Sequence, residues 1–294
     1  MKILLTGKNG QVGFELNKKL STVWDVVAIG REDLDLENPN DISNFIDNIK
    51  PDFIVHPAAY TAVDKAESDP EMAYQINVVA SQVFAKKVTE LDIPIIYFST
   101  DYVFDGLKNE LYIEEDKANP QSVYGQTKFE GEEAIRQHKK HIILRTSWVF
   151  GSHGHNFIKT ILKLIQEKDN LSMVSDQGGA PTSSSMLADI TFKIIQKIID
   201  NKDFKDFGTY HLTSEGETNW HKYAIFIVDE AIRLGIHPKI RSSNIKAIVS
   251  EDYISPAKRP LNSRLNTEKI KKTFMLELPD WEDEVKKVLR ELIH

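Results

Sequence analysis

The chain has 294 residues, 41% of them hydrophobic and 28% charged, which suits one large α/β domain with an appendage, or two domains. Its 37 Lys and Arg against 44 Asp and Glu give a net charge of −7 with no long basic run, which argues against a nucleic-acid partner and for small-molecule chemistry. There is no cysteine, so disulfides, thiolate metal sites and cysteine nucleophiles are excluded; no apolar run approaches the roughly 20 residues of a membrane span or the length of a signal peptide, and the expectation is a soluble cytoplasmic protein.

Lys2–Thr6 (KILLT) reads as a first strand, and the turn TGKNGQVG follows, with Gly7, Gly10 and Gly13 at three-residue intervals running into a helix over Gln11–Leu20. Glycines in that context allow a tight turn, close approach of backbone amides to a pyrophosphate, and tight helix packing, with the diphosphate at the helix N-terminus. A second strand, Asp25–Ile29, ends in Gly30-Arg31 where an NAD enzyme usually places an acid on the ribose. Arg31 attracts a 2′-phosphate, which favours NADPH while leaving NADH usable.

Further strands are expected at Asp52–His56, Pro94–Ser99 and His141–Ser147, alternating with helices over Asp41–Ile49, Glu71–Leu91 and Tyr124–Gln137. Apolar runs without polar alternation suit strands buried on both faces, so the fold class is a doubly wound parallel α/β sheet of Rossmann type over residues 1–148. Residues 149–294 read as a smaller, α-rich substrate lobe, interleaved with the last strand of the sheet. Its helices fall at Asn156–Gln166, Met186–Asp200 and Trp220–Leu234, and an amphipathic C-terminal helix carries Trp281, Val285, Val288, Leu289 and Leu292.

Tyr124 and Lys128 stand four residues apart on one helix face, so a phenol and an ammonium can converge on one molecule. A Tyr/Lys pair downstream of a dinucleotide turn, with Thr100 at the end of the fourth strand, supplies the parts for ketone reduction. Tyr124 is the proton donor, Lys128 the cation that lowers its pKa and holds the nicotinamide ribose, and Thr100 the hydrogen-bond partner of the carbonyl.

These positions resemble the extended short-chain dehydrogenase/reductases. The blocks GKNGQVG, HPAAYTAVDKAE, STDYVFDG, VYGQTKFEGE, RTSWVFG, DQGGAPT, KRPLNSRLNTEK and LPDW, spread over nearly the whole chain, resemble the dTDP-4-dehydrorhamnose reductase family. That resemblance implies NADPH-dependent reduction of the 4-keto group of dTDP-4-dehydro-L-rhamnose, the last step of dTDP-rhamnose synthesis. It further implies that Gln11 and Val12 meet the cofactor diphosphate, that Asp35 and Leu36 lie near the adenine, and that Ala58, Ala59 and Tyr60 pass along the cofactor. Asp101 and Trp148 would face the sugar, and Asn156 and Arg259 the nucleotide diphosphate. Some relatives hold Mg²⁺ between glutamates at a dimer interface; Glu15 and Glu291 match two of those positions, but Ser185 stands at the third, which argues against both the metal and that form of homodimer.

Two other readings share the cofactor turn: a sugar-nucleotide dehydratase or epimerase, and a non-catalytic NADP-binding regulatory subunit. The first loses ground because a 4,6-dehydratase places an Asp-Glu pair directly after the threonine, whereas here Asp101 is followed by Tyr102. The second is opposed by the intact Thr100, Tyr124 and Lys128.

Overall fold

The computed structural model describes residues 1–294. In chain order the first half runs β1 (Lys2–Leu5), α1 (Gln11–Leu20), β2 (Asp25–Ala28), α2 (Pro39–Ile49), β3 (Phe53–His56), α3 (Val63–Ala66), α4 (Pro70–Tyr74), a π-helical turn (Gln75–Val79), α5 (Ala80–Leu91), β4 (Ile95–Thr100), α6 (Val123–Arg136) and β5 (His141–Thr146). The second half runs β6 (Val149–Phe150), α7 (Phe157–Glu167), β7 (Leu171–Val174), β8 (Gly178–Gly179), β9 (Thr182–Ser183), α8 (Ser184–Asp200), β10 (Gly208–His211), β11 (Thr218–Asn219), α9 (Trp220–Arg233), β12 (Ile245–Ile248), α10 (Glu268–Phe274) and α11 (Trp281–Ile293).

The main sheet has 6 strands in the order β10-β5-β4-β3-β1-β2, all parallel. Its strands are apolar because both faces are covered, as parallel sheets require. One face packs Ile3, Leu5, Val55, Ile96 and Leu144 against α1, α8 and α10. The other packs Leu4, Ile54, Ile95, Tyr97 and Ile143 against α2, α5 and α6. The winding direction reverses between β1 and β3, and in an open α/β sheet the ligand crevice lies at that reversal, outside the carboxyl ends of the strands.

Beyond residue 148 the chain serves two cores. The edge strand β10 and helices α8 and α10 complete the sheet and its covering layer, while α7, α9 and α11 build a separate core around Ile161, Tyr223, Ile227, Trp281 and Val285. The helix expected over Glu71–Leu91 is interrupted by the π turn at Gln75–Val79, a local widening with no signature in hydrophobic periodicity.

Beneath α6 lies a buried ion pair: Arg145 of β5 donates from Nε and Nη2 to the two carboxylate oxygens of Glu132, at 2.9 and 2.7 Å, with side chains 2% and 0% exposed. Arg136 adds a second contact to the same carboxylate at 2.6 Å. Removing one member leaves a charge buried without its partner. Glu132→Ala should therefore lower unfolding stability by about 3–5 kcal/mol, read from the urea midpoint, and a loss below about 1 kcal/mol would show that the pair contributes little.

Candidate active site

The carboxyl ends of β1, β3, β4 and β5, roofed by the second-half lobe, enclose a cleft of ≈ 1110 Å³. At one end is the β1–α1 turn. Gly7 has φ +65°, and a Cβ there would come within 3.1 Å of the Ala58 backbone; a Cβ on Gly13 would overlap the Gly7 carbonyl. Both positions therefore require glycine, whereas Gly10 has room for a side chain and leaves that space beside the α1 amides. Helix α1 has no side-chain cap and no acid in its first turn, so its N–H groups remain available to an anion.

The β2 side of the cleft carries an acid that the sequence reading did not include. Position 30 is glycine, yet the Glu32 carboxylate folds back over it: a Cβ on Gly30 would lie 2.5 Å from Glu32 Oε2. Asn9 donates to Glu32 at 3.0 and 3.1 Å, and Lys8 pairs with both Glu32 (3.1 Å) and Asp33 (2.5 Å). Arg31 makes no ion pair and lines the cleft with Asp35 and Leu36. An acid thus occupies the space a residue-30 carboxylate would fill, delivered from two residues on.

At the centre stand Thr100, Asp101, Tyr124 and Lys128, all lining the cleft. Ser122 caps α6 by accepting from Gly125 N (3.1 Å), and Glu67 accepts from Val123 N (2.9 Å), which fixes the first turn that carries Tyr124. A Cβ at Gly125 would overlap the Tyr102 carbonyl, so the glycine lets α6 sit against the Asp101–Val103 turn, where the Tyr102 and Tyr124 rings meet edge to face at 5.5 Å.

Burial dominates the electrostatics. It pushes the Tyr124 phenol well above its ordinary pKa, with Thr100 acting in the opposite direction, so Tyr124 carries its proton at neutral pH. Burial pushes the Lys128 ammonium down to about 7, with Glu132 opposing. The Lys128 Nζ donates inward, to Tyr97 Oη and to the Phe98 carbonyl, both at 2.7 Å. The lysine is thus held by β4.

Asp101 is 3% exposed, accepts from Thr100 Oγ1 at 3.0 Å, and leaves Oδ2 without a partner. Burial raises its carboxyl to about 6. Tyr102, next in sequence, accepts at its hydroxyl from Arg259 Nη1 (3.5 Å), whose Nη2 donates to Asp64 at 2.8 Å. Trp148 has φ +49°, a conformation rarely adopted by an aromatic residue, and stacks on Trp220 at 3.8 Å. A Cβ on Gly179 would lie 2.6 Å from the Trp148 ring, so the indole is held from both sides at the cleft wall.

Two residues sit otherwise than expected. Tyr60 does not line the cleft; its backbone N–H bonds Asn77 Oδ1 at 2.8 Å and its ring packs with Ala66, Ala73 and Ile76. Asn156 lines it, but as the α7 cap its Oδ1 accepts from Lys159 N and its amide donates to Gly151 O (2.7 Å) and Gln11 Oε1 (3.1 Å), tying the lobe to the β1–α1 turn. Glu15 lies on α1, Ser185 in α8 and Glu291 on α11, and no group of three His, Cys, Asp or Glu side chains gathers at them. Sequence reasoning missed Lys8, Asn9 and Glu32, whose joint placement follows from a turn outside any periodic element.

Asp101 gives a pH prediction. Its folded pKa lies above the unfolded value of 3.8, so its ionisation destabilises the fold at neutral pH, and the penalty fades as pH falls from about 6 toward 4. Asp101→Asn should raise stability at pH 7.5 by about 2–3 kcal/mol at most, with the gain vanishing near pH 4. Thermal melts at both pH values check this, and a gain equal at both would refute it.

The whole chain, residues 1–294, matches the family model described as RmlD substrate binding domain. It is 43% identical to a dTDP-4-dehydrorhamnose reductase of Shigella flexneri, over 99% of this chain and 98% of that one. It is 34% identical to the spore coat polysaccharide biosynthesis protein SpsK of Bacillus subtilis, over 90% and 89%. Its fold matches the crystal structure of a dTDP-4-dehydrorhamnose reductase from Clostridium acetobutylicum with a TM-score of 0.91 at 35% identity over 100% of both chains. It matches that of the Bacillus anthracis enzyme in complex with NADP with a TM-score of 0.89 at 32% identity over 99% of both. With the glycine turn, the Thr100, Tyr124 and Lys128 constellation and the cleft between sheet and lobe in one chain, this protein belongs to the dTDP-4-dehydrorhamnose reductase family.

Proposed function

We propose that the chain reduces the 4-keto group of dTDP-4-dehydro-L-rhamnose, using NADPH, to give dTDP-L-rhamnose. The observation that carries this reading is the placement of Thr100, Tyr124 and Lys128 in one cleft that continues to the β1–α1 turn. Gly7, Gly13 and the uncapped α1 N-terminus fit a dinucleotide diphosphate, and Lys128, which lines the same cleft, is the cation that would hold the nicotinamide ribose. When bound, the cofactor supplies the hydride for the carbonyl carbon. Thr100, turning its proton from Asp101 Oδ1 to the substrate, holds the carbonyl oxygen, and the Tyr124 phenol delivers the proton as that oxygen becomes an alkoxide. Asp101 and Trp148 bound the sugar pocket, and Arg259, which lines the cleft with its Nε buried and without a partner, would serve the nucleotide diphosphate.

Tyr124→Phe should keep NADPH binding, followed by nicotinamide fluorescence, while turnover with dTDP-4-dehydrorhamnose falls by about 10²–10⁴. Turnover near that of the unmutated protein would remove Tyr124 from the role. Absence of NADPH oxidation with this substrate in the unmutated protein would refute the reading itself.

The cofactor preference is set by opposed charges. Arg31 and Lys8 attract a 2′-phosphate, whereas Glu32, folded over Gly30, repels it and can accept from a free ribose hydroxyl. NADPH should be favoured by roughly tenfold, since both partners lie at the solvent edge, and the preference should appear in binding rather than in turnover. Arg31→Ala should erase most of the gap by weakening NADPH alone; Glu32→Gln should widen it several-fold. Dissociation constants for both cofactors at low salt check this, and equal values in the unmutated protein would overturn the role of Arg31.

A further inference from the structure

Lys128 is 2% exposed and lies on α6, above the carboxyl half of β4. Three residues before Thr100 on that strand is Tyr97, 1% exposed, with its phenolic oxygen 2.7 Å from Lys128 Nζ and the ring centroid at 4.0 Å. The Phe98 carbonyl takes a second bond, also at 2.7 Å. The phenol reaches this point because position 131 is glycine: a Cβ there would stand 2.5 Å from Tyr97 Oη and overlap the Asn77 carbonyl of the π turn. Ser81 Oγ donates to Asn77 O at 2.7 Å beside it. Helix, π turn and strand are thus brought together around one hydroxyl.

An ammonium has three N–H donors in tetrahedral geometry. Two acceptors fixed below it determine its orientation, so the third donor is aimed and cannot rotate. We propose that Tyr97 is a positioning residue for the reaction: with the Phe98 carbonyl it orients the Lys128 ammonium, presenting its remaining N–H to the cleft beside Tyr124. This rests on the reading of Lys128 as a working residue of the reductase site. The titratable groups facing the ammonium are Tyr97 on β4, His56 on β3, and Tyr124 and Glu132 on α6, the last paired with Arg145 of β5. His56 is buried and held neutral at physiological pH, its pKa lowered to about 3, and Glu132 is tied to Arg145. Tyr97 is thus the neutral acceptor whose removal changes the lysine without removing a charge.

The test is Tyr97→Phe beside Tyr210→Phe, which deletes another buried phenol bond, Tyr210 Oη to Asp206 O at 2.6 Å, away from the cleft. Tyr97→Phe should lower kcat/KM about ten- to hundredfold, the range for one hydrogen bond from a charged donor. With one acceptor lost the charged lysine is less stable, so the alkaline limb of the pH profile should move to lower pH. Tyr210→Phe should alter thermal stability alone. In a Lys128→Met background, Tyr97→Phe should have no further effect on turnover. A Tyr97→Phe protein within twofold of the unmutated enzyme, with its alkaline limb unmoved, overturns the proposal. Unchanged turnover in Lys128→Met would instead sink the underlying reading of the lysine, and the proposal with it. A readout independent of the variant's folding is ¹⁵N-lysine NMR of the unmutated protein. One ammonium, absent in Lys128→Met, should show slowly exchanging protons because two of its donors are held at 2.7 Å, whereas a Lys128 signal exchanging as fast as those of the surface lysines overturns the proposal.

Discussion

The close approach of α6 to the sheet and to its neighbouring turns is the constraint on which the site depends. Gly125 lets the helix start against the Tyr102 carbonyl, and Gly131 lets it pass the Asn77 carbonyl and the Tyr97 hydroxyl. Thr127 is bonded by Asn77 Nδ2 at 3.0 Å, and Glu132 is clamped by Arg145. These contacts recur along nearly the whole helix, so its height and rotation over β4 and β5 are fixed. Tyr124 and Lys128 inherit that fixity because they are part of the same helix. A helix held only by an apolar stripe could slide and roll within its packing tolerance; one held by a bidentate ion pair cannot do so without breaking it.

The same closeness explains the shifted proton affinities. Bringing a phenol and an amine under a roof of side chains removes water from both, which disfavours the tyrosinate and the ammonium alike. Tyr124 is pushed up and Lys128 down, so the phenol holds its proton while the amine is poised near neutrality. Glu132 counters part of the burial at Lys128 without touching it, which makes the structural clamp of α6 also its electrostatic support. One carboxylate therefore links the stability of the helix to the charge on its buried lysine.

Much of this was legible in the sequence, for a definable reason. The alternation of apolar runs with helical segments gave the sheet and its covering, because buried parallel strands need apolar residues on both faces. The glycine turn was legible because only glycine tolerates the conformation at Gly7 and the clearance at Gly13. The Tyr124 and Lys128 pair was legible because helical spacing is fixed. What escaped was set by contacts between distant segments. Glu32 reaching over Gly30, Asn156 drawn into a cap, Tyr60 turned into a side core and Tyr97 placed under Lys128 each depend on tertiary geometry that no local period encodes. Strand β10 is short and separated from β5 by more than 60 residues, so its own pattern could not say where it pairs.

The second half of the chain then does more than roof the cleft. Were it an independent lobe on a single linker, the distance between Trp148 and Tyr124 would vary with every hinge motion, and the wall of the cleft would move with it. Instead α8 packs on α1, β10 joins the edge of the sheet, and the Asn156 amide reaches the Gln11 side chain. Three separate returns to the first half restrain the lobe in translation and in rotation. The strained backbone at Trp148 is tolerable on the same grounds, since Trp220 on one side and Gly179 on the other belong to segments already anchored. The relative placement of Trp148 and Tyr124 is therefore a property of the sheet as a whole, distributed between both halves of the chain.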